Sequence, residues 1–230
     1  YELTSPEVEF AIQAVRQAAL LVRQVQAELV SPALTKQDRS PVTVADFTAQ
    51  ALVGHLLAQN FPQDAVVAEE DSAALKEPEA RSTLEQITYF TGKAMPDATP
   101  EQVCAWIDHN RVDSAQRFWT LDPIDGTKGF LRGDQYAIAL ALVEAGQVQL
   151  GVLGCPFLAA ASRSEIAAGL ASEGSLVVAV QGQGSWTTPL ASQGSLKRLR
   201  VSSQSDPTQA RVLRSFEAGH TNVDQIDTFA

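Results

Sequence analysis

The sequence predicts an α/β (α+β) fold in which helices cover a large, mostly antiparallel sheet. Two observations favour this class. Apolar residues recur at helical spacing over residues 8–25, and residues 136–155 contain two apolar runs separated by Ala145-Gly146, a pair typical of hairpin turns. Helical and strand patterns do not alternate regularly along the chain, which argues against a repeating βαβ arrangement.

Two long helices are predicted in the first quarter of the chain. The first begins after Ser5-Pro6-Glu7, where serine, proline and an acid occupy their preferred positions at a helix start. It reaches about Leu29. A polar loop is predicted over residues 35–41, and the second helix is predicted from about residue 45 to residue 59.

The predicted strands are short apolar runs bounded by turn residues. They comprise residues 65–68, 118–121, 136–144, 147–155, 175–180, 184–187 and 211–216. Between the first two strands, residues 72–117 are predicted to form a helical, polar cover over a site. A further helix is predicted from residue 223 onward.

Composition and charge limit the classes of partner. With 230 residues, of which 45% are hydrophobic, the chain can bury a core as one large domain or two small ones. The formal net charge of -10 argues against a nucleic-acid partner, because binding a phosphate backbone requires a basic face. No apolar run reaches the roughly 18–20 residues of a membrane span, so no membrane partner is predicted. A small phosphorylated substrate is compatible with the charge, since acidic groups bind phosphate through divalent cations.

The most informative segment is Asp122-Pro-Ile-Asp125-Gly126-Thr127, at the end of an apolar strand. Proline fixes its own backbone angle and restrains the residue before it, so this turn should be rigid. The two aspartates and the Ile124 carbonyl can then converge as hard oxygen ligands of the kind that Mg²⁺ prefers. If a helix begins at Gly126, its unpaired N–H groups can receive a phosphate oxygen. The alternative is a solvated turn that joins a strand to a helix.

Two further acidic signals lie upstream of this segment. Glu69-Glu70-Asp71 follows a predicted buried strand, and three adjacent acids repel one another unless water or cations neutralise them. Asp46 follows the alternating residues 42–45 and lies near the start of the second predicted helix. The structural alternatives are an exposed acidic loop for the first signal and a helix cap for the second.

In this order, the three motifs resemble those of the lithium-sensitive phosphatase superfamily, which includes inositol monophosphatases, fructose-1,6-bisphosphatases and bisphosphate nucleotidases. The chain resembles the 3′(2′),5′-bisphosphate nucleotidases more specifically, over essentially its whole length. The strings that carry this likeness are residues 40–43 (Ser-Pro-Val-Thr), 117–119 (Arg-Phe-Trp), 126–136 (Gly-Thr-Lys-Gly-Phe-Leu-Arg-Gly-Asp-Gln-Tyr) and 217–220 (Glu-Ala-Gly-His). Inositol monophosphatases usually carry Thr-Asn where this chain has Lys128-Gly129. The resemblance implies a layered, inositol monophosphatase-like sandwich.

The resemblance also implies a function and a role for each matching residue. The implied activity is Mg²⁺-dependent removal of the 3′-phosphate of adenosine 3′,5′-bisphosphate to give AMP, with the related phosphosulfate (PAPS) as a further substrate, in sulfur metabolism. The implied ligands of two or three Mg²⁺ ions are Glu69, Asp122, Asp125 and the Ile124 carbonyl. The implied catalytic pair is Asp46 and Thr127. The residues implied to bind substrate are Gly126, Thr127, Lys128 and His220.

One motif of the family has no counterpart in the sequence. The family carries a Trp-Asp segment in a C-terminal subdomain that supplies a further metal aspartate, whereas Trp106, Trp119 and Trp186 are not followed by aspartate. Residues 1–230 are therefore expected to form one incomplete phosphatase domain that lacks this subdomain. Such a chain is expected to be poorly active by itself, because one metal carboxylate is missing, and prone to aggregation, because one face of the sheet would be uncovered.

Two other functions stay open from the sequence. An inositol (poly)phosphate phosphatase would share the metal core, and a non-catalytic module would bind the nucleotide or Mg²⁺ without turnover. The protein is expected in the cytoplasm, or in an organelle if a transit peptide preceded Tyr1. Cys104 and Cys155 are expected to be buried thiols, with a regulatory disulfide as the alternative.

Overall fold

The computed structural model describes residues 1–30, 40–158, 174–191 and 194–209. The chain divides into two units, Tyr1–Leu199 and Arg200–Ala230. The helices of the first unit are α1 (Pro6–Leu29), α2 (Ser40–Asn60), α3 (Arg81–Ala94), α4 (Pro100–Ile107) and α5 (Thr127–Arg132). Its strands are β1 (Ala65–Ala68), β2 (Arg117–Asp125), β3 (Ala137–Glu144), β4 (Gln147–Cys155), β5 (Ser175–Val180), β6 (Gly184–Pro189) and β7 (Lys197–Arg198).

The seven strands of the described residues form one sheet, in the order in which they follow along the chain. β1 is parallel to β2, and every later pair of neighbours is antiparallel. The mostly antiparallel sheet that the sequence predicts is therefore confirmed. Ala145 and Gly146 form the predicted two-residue turn between β3 and β4, and both have the positive φ angles, 48° and 75°, that such a turn requires.

One face of the sheet packs against helices and contributes the core. α1 lies against β3, β4 and β5, while α2 lies beside α1 and against β2. β3 directs Ile138, Leu140 and Leu142 into this core, since alternate residues of a strand share one face. The opposite face carries small residues such as Ala139 and Ala141, which line a shallow groove of about 310 Å³. Among the helices of the described residues, none is long and apolar enough to cross a lipid bilayer.

The ends of several elements differ from the sequence predictions. α2 begins at Ser40, about five residues before the predicted start. Residues 40 and 41, which were predicted as part of a loop, are therefore helical, and so are residues 42–44. Proline is accepted in the first turn of a helix because the N–H groups there have no partner within the helix. β2 continues beyond the predicted residues 118–121 to Asp125, and β7 was not predicted because it consists of two polar residues. The predicted strand over residues 211–216 and the helix from residue 223 lie outside the described residues.

The second unit is described over residues 200–209. It contains one short 3₁₀ turn, Pro207–Gln209. Asp206 Oδ1 accepts hydrogen bonds from the Thr208 N–H at 2.9 Å and from the Thr208 hydroxyl at 2.7 Å, which is the usual way for aspartate to begin a turn.

Candidate active site

Two parallel strands bring acidic residues to one edge of the sheet. β1 and β2 pair with Ala68 opposite Leu121. Glu69 directly follows Ala68, and Asp122 directly follows Leu121. Because the carboxyl ends of parallel strands meet at the same edge, the register itself places these two acids beside each other.

A bulge in β2 lies between Asp122 and Asp125. Asp122 is opposite Ala139 and Asp125 is opposite Ala137, so three steps along β2 match two steps along β3. Pro123 lies within this bulge, where a residue without an N–H group does not interrupt a regular ladder. Residues three apart on a regular strand face opposite sides of the sheet, whereas one extra residue resets that alternation. The bulge thus permits both aspartates to serve one site.

The Asp122 carboxylate is held in place by its own turn. Its Oδ1 accepts a hydrogen bond from the Ile124 N–H at 3.1 Å, and the Ile124 side chain is buried. Burial, followed by the charges of Glu69 and Asp125, raises the pKa of Asp122. The turn that the sequence offered as an alternative is therefore present, and it orients an aspartate that lies within electrostatic reach of two other acids.

Asp46 reaches the same region from α2. It lies in the second turn of that helix, so the interpretation of Asp46 as a helix cap is wrong. Burial, followed by the charges of three acids, raises its pKa to about 8. In decreasing order of effect, these acids are Glu70, Glu69 and Asp122. Like charges disfavour ionisation only when they are close, and the shift therefore identifies these groups as neighbours.

Together these residues form an acidic cluster, which comprises Asp46, Glu69, Glu70, Asp122 and Asp125. Burial, followed by the charges of Glu69 and Asp71, raises the pKa of Glu70, although the nearby Arg111 opposes the shift. Arg111 lies 3.8 Å from the Asp71 carboxylate. At Glu70, burial and the neighbouring acids therefore outweigh the opposing effect of Arg111.

The predicted polar cover over residues 72–117 anchors the loop that carries two of the acids. Asp108 directly follows α4 and accepts hydrogen bonds from the Ser72 N–H, at 2.9 Å, and from the Ser72 hydroxyl. Lys76 pairs with the same carboxylate at 3.4 Å. These contacts are not evident from the sequence, because nothing in the local pattern pairs Ser72 with a residue 36 positions later.

The phosphate-binding segment predicted from the sequence begins a short helix. Gly126 precedes α5 in the left-handed region, with φ 97° and ψ 44°, which glycine adopts without strain. Thr127 is the first residue of α5, and both Thr127 and Lys128 are exposed at the sheet edge where β2 ends. The first N–H groups of a helix have no partner within the helix, so this segment presents donors. The predicted substrate residue His220 lies outside the described residues.

The donor chemistry of the acidic cluster fits Mg²⁺, which prefers carboxylate and carbonyl oxygens. Raised pKa values among neighbouring acids indicate uncompensated charge that a divalent cation would offset. In the part of the chain that the structure describes, however, no group of three or more His, Cys, Asp or Glu side chains is arranged to hold a metal ion.

The two cysteines contribute no disulfide to this region. Cys104 on α4 and Cys155 at the end of β4 are both free and buried, as expected from the sequence. Burial, followed by the charge of Asp125, raises the pKa of Cys155, which places this thiol near the acidic cluster.

Comparisons with known proteins identify the family of the chain. The profile of the inositol monophosphatase family matches residues 4–228. The chain is 39% identical over 239 residues to 3′(2′),5′-bisphosphate nucleotidase 2 of Candida albicans. The aligned region covers 94% of this chain and 66% of that protein. It is 38% identical over 240 residues to 3′(2′),5′-bisphosphate nucleotidase 1 of Arabidopsis thaliana, covering 97% and 68% of the two chains.

The fold of the chain is similar to that of solved structures. Mycobacterium tuberculosis SuhB superposes with a TM-score of 0.52 at 20% identity, over 87% of this chain and 53% of that one. The chain spans about two-thirds of the length of the curated relatives that it matches. The predicted inositol monophosphatase-like fold is thereby confirmed, and the chain belongs to the inositol monophosphatase family.

Proposed function

We propose that this chain carries the catalytic centre of a Mg²⁺-dependent phosphomonoesterase that removes the 3′-phosphate of adenosine 3′,5′-bisphosphate, giving AMP and phosphate. The acidic cluster at the carboxyl ends of β1 and β2 is the observation that carries this proposal. The choice of substrate is supported by 38–39% identity to proteins named as bisphosphate nucleotidases. PAPS, which has the same 3′-phosphate, is proposed as a further substrate.

The proposed metal ligands are the side chains of Glu69, Asp122 and Asp125 and the Ile124 carbonyl, holding two or three Mg²⁺ ions. When bound, Mg²⁺ would neutralise charge on the phosphate and activate the attacking water. This contribution is needed because phosphate monoesters are among the slowest compounds to hydrolyse in water. The Asp122 turn, fixed by its hydrogen bond with the Ile124 N–H, keeps one of these ligands oriented before substrate arrives.

Side chains of the protein transfer the proton and bind the substrate. In the proposed reaction, the Thr127 hydroxyl orients the water, and Asp46 accepts the proton that the water loses. Burial and the neighbouring acids raise the pKa of Asp46 in the absence of a cation, and bound Mg²⁺ would oppose those charges and favour the ionised form that accepts a proton. The water oxygen bonds to phosphorus, the bond from phosphorus to the 3′-oxygen breaks, and that oxygen takes up a proton.

The substrate contacts are proposed from the start of α5 and from the C-terminal segment. The N–H groups of Gly126 and Thr127 would hold phosphate oxygens, and Lys128 would add positive charge beside them. His220 is proposed to contact the nucleoside.

The direct test is phosphate release by the purified protein from three compounds: adenosine 3′,5′-bisphosphate, inositol 1,4-bisphosphate and AMP. We expect release from the first, in proportion to added Mg²⁺, with inhibition by Li⁺ and little release from AMP, which lacks a 3′-phosphate. Faster release from the inositol compound would replace the proposed substrate with an inositol phosphate. Nucleotide binding without release would identify a non-catalytic module.

Matched substitutions test the site itself. Thr127→Ala and Asp122→Asn are expected to lower kcat/KM by a factor on the order of 10²–10⁴, because each removes a group that acts on the reacting atoms or on their metal. Asp113→Asn, an exposed acid outside the cluster, is the control and should leave kcat/KM unchanged. Equal rates for Asp122→Asn and Asp113→Asn would contradict the assignment of the acidic cluster.

A further inference from the structure

A buried glutamine joins the helix that carries Asp46 to the loop that carries Glu69 and Glu70. Gln50 lies one turn after Asp46 on α2, and residues four apart on a helix share a face. The side chain of Gln50 is only 2% exposed. Its neighbours on the helix, Ala49 and Ala51, are buried apolar residues, so a polar side chain is unexpected at this position.

The amide of Gln50 bonds to both peptide groups of Glu70. Its Nε2 donates to the Glu70 carbonyl at 2.6 Å, and its Oε1 accepts from the Glu70 N–H at 3.1 Å. Nε2 also donates to the carbonyl of Ile107, the last residue of α4, at 3.0 Å. These three bonds fasten the backbone of the acidic loop between α2 and α4.

The chemistry of the contact requires an amide rather than a side chain of similar volume. Glutamine offers donors and an acceptor without a net charge, so it satisfies one N–H and two carbonyl groups at once. A methionine would fill similar space and leave those buried and part-buried groups without their protein partners, which is unfavourable. A lysine or glutamate would bring a charge beside the acidic cluster. Packing of the core alone does not account for the residue.

We infer that Gln50 is a positioning residue that sets the Mg²⁺ affinity of the acidic cluster, an inference that rests on the proposed function. It holds the Glu69-Glu70 backbone against the helix of Asp46, where carboxylates that repel one another would otherwise move apart. A loop already held in place loses less conformational freedom when a cation binds, and it therefore binds the cation more tightly. Gln50 contacts the backbone of the loop and is not itself a ligand.

The test compares Gln50→Met, which removes the three hydrogen bonds, with a buried control nearer the far edge of the sheet. Arg16 is 8% exposed and donates to the part-buried Pro189 carbonyl at 3.0 Å and to the buried Leu190 carbonyl at 2.6 Å, so Arg16→Met also removes bonds to backbone carbonyls. Pro189 ends β6, four strands from β2, a separation of about 19 Å at the usual strand spacing. Gln50→Asn, which keeps an amide on a shorter side chain, serves as a milder second variant.

Two readouts separate positioning from general stability. In the metal-free protein, hydrogen exchange of the Glu70 amide should accelerate in Gln50→Met and stay unchanged in Arg16→Met. The Mg²⁺ concentration at half-maximal thermal stabilisation, and at half-maximal phosphate release, should rise about tenfold in Gln50→Met. The maximal rate at saturating Mg²⁺ should stay within about twofold of the wild-type rate, because the reacting groups are unchanged. Gln50→Asn should give intermediate values.

The outcomes distinguish this inference from the proposed function. If both Gln50 variants only lower the melting temperature, as Arg16→Met does, and keep the wild-type Mg²⁺ midpoint and Glu70 exchange, then Gln50 is a core residue and the inference is wrong. If the wild-type protein hydrolyses no bisphosphate, the proposed function fails. Hydrogen exchange and Mg²⁺-dependent melting then still decide the role of Gln50, since neither readout needs turnover.

Discussion

The pKa of Asp46 reflects the unfavourable placement of one acid among others inside the fold. Burial and the charges of Glu70, Glu69 and Asp122 raise this pKa to about 8. The folded protein thus binds the proton of Asp46 more tightly than the unfolded chain does. The stabilising effect of that proton is complete below about pH 4, the usual pKa of an aspartate, and is lost as the pH rises toward 8.

We therefore predict that Asp46→Asn stabilises the metal-free protein at pH 8 while it abolishes phosphate release. Each pKa unit corresponds to about 1.4 kcal/mol, and we expect a gain on the order of 2 kcal/mol because relaxation of the site reduces the full effect. Urea unfolding with a chelator at pH 5 and pH 8 measures it. The stability difference between the two pH values should shrink in Asp46→Asn but persist in Asp113→Asn. An unchanged difference in both variants would contradict the assigned cause.

Arg117 illustrates a residue whose structural role the sequence does not reveal. In the sequence, Arg117 stands out only as part of the family string Arg117-Phe-Trp119. In the structure its Nε and Nη2 donate to the Asp64 carboxylate at 3.2 and 2.9 Å, and its Nη1 donates to Glu144 on β3. Trp119 Nε1 donates to the same Asp64 carboxylate at 2.9 Å. The contact joins the segment before β1 to β2 and β3.

Replacing Arg117 by lysine should reduce the free energy of unfolding by about 1–2 kcal/mol, because an ammonium group does not reproduce a two-pronged contact with a carboxylate. Chemical unfolding at neutral pH measures the loss. Arg81→Lys is the matched control, since Arg81 is exposed and pairs with Glu85 four residues later on α3. Its effect should stay below about 0.5 kcal/mol. Similar losses in both variants would show that the Arg117 contacts add nothing specific.

At the scale of elements, the sequence correctly predicted those helices and strands whose bounds follow from a local pattern of residues. β1, β4 and β5 were predicted with the residues that the structure gives them, because each is an apolar run bounded by turn residues. The start of α2 and the extension of β2 through Pro123 were not predicted, since residues 35–41 were predicted as a polar loop and residues 122–125 as a turn after the strand. In each case neighbouring structure accommodates the missing N–H group, once in a first helical turn and once in a bulge.

α2 and α4 approach each other closely at Gly54. A Cβ atom at Gly54 would lie 2.0 Å from the Trp106 carbonyl oxygen, so only glycine permits this approach. Gly54→Ala should separate the two helices and lower the free energy of unfolding by about 1–3 kcal/mol. It should also weaken Mg²⁺ binding, because Asp108 bonds the acidic loop at Ser72 and the Ile107 carbonyl accepts from Gln50, which bonds the loop at Glu70.

Gly92→Ala on α3 provides the control for that prediction. A Cβ atom there meets nothing within 4 Å, so the substitution should stabilise the helix by about 0.5–1 kcal/mol. Thermal unfolding of both variants measures the two effects, which should have opposite signs. Stabilisation by both substitutions would mean that α2 and α4 accommodate the extra methyl group without strain.

At the scale of the whole molecule, the order of the acidic motifs predicted more about the site than any single motif did. Asp46, Glu69 and Asp122 come from three separate elements, and the fold makes them neighbours. The residues that hold this arrangement, Gln50 and Asp108, were not predicted. Their partners lie 20 and 36 positions away in sequence, and such contacts depend on how helices pack rather than on any local pattern.

The carboxylates of the acidic cluster repel one another, so a divalent cation bound among them should stabilise the folded protein. A ligand that binds only the folded state at 100 times its Kd adds about 2.7 kcal/mol to the free energy of unfolding. For a chain of this size, that gain corresponds to a rise in Tm of about 5–10 °C. Thermal unfolding in Mg²⁺ against an equal ionic strength of NaCl measures it, since salt alone screens charge without occupying a site.

The shift should vanish in Asp122→Asn and persist in Asp113→Asn, because only Asp122 belongs to the cluster. The metal-free Asp122→Asn protein should also melt at a higher temperature than the metal-free wild type, since one of the repelling charges is gone. This pair of changes, more stable without Mg²⁺ and unresponsive to it, distinguishes a cation site from a general effect of acidic surface. If NaCl matches Mg²⁺, or if Asp113→Asn also loses the shift, the cluster does not bind the cation as a unit.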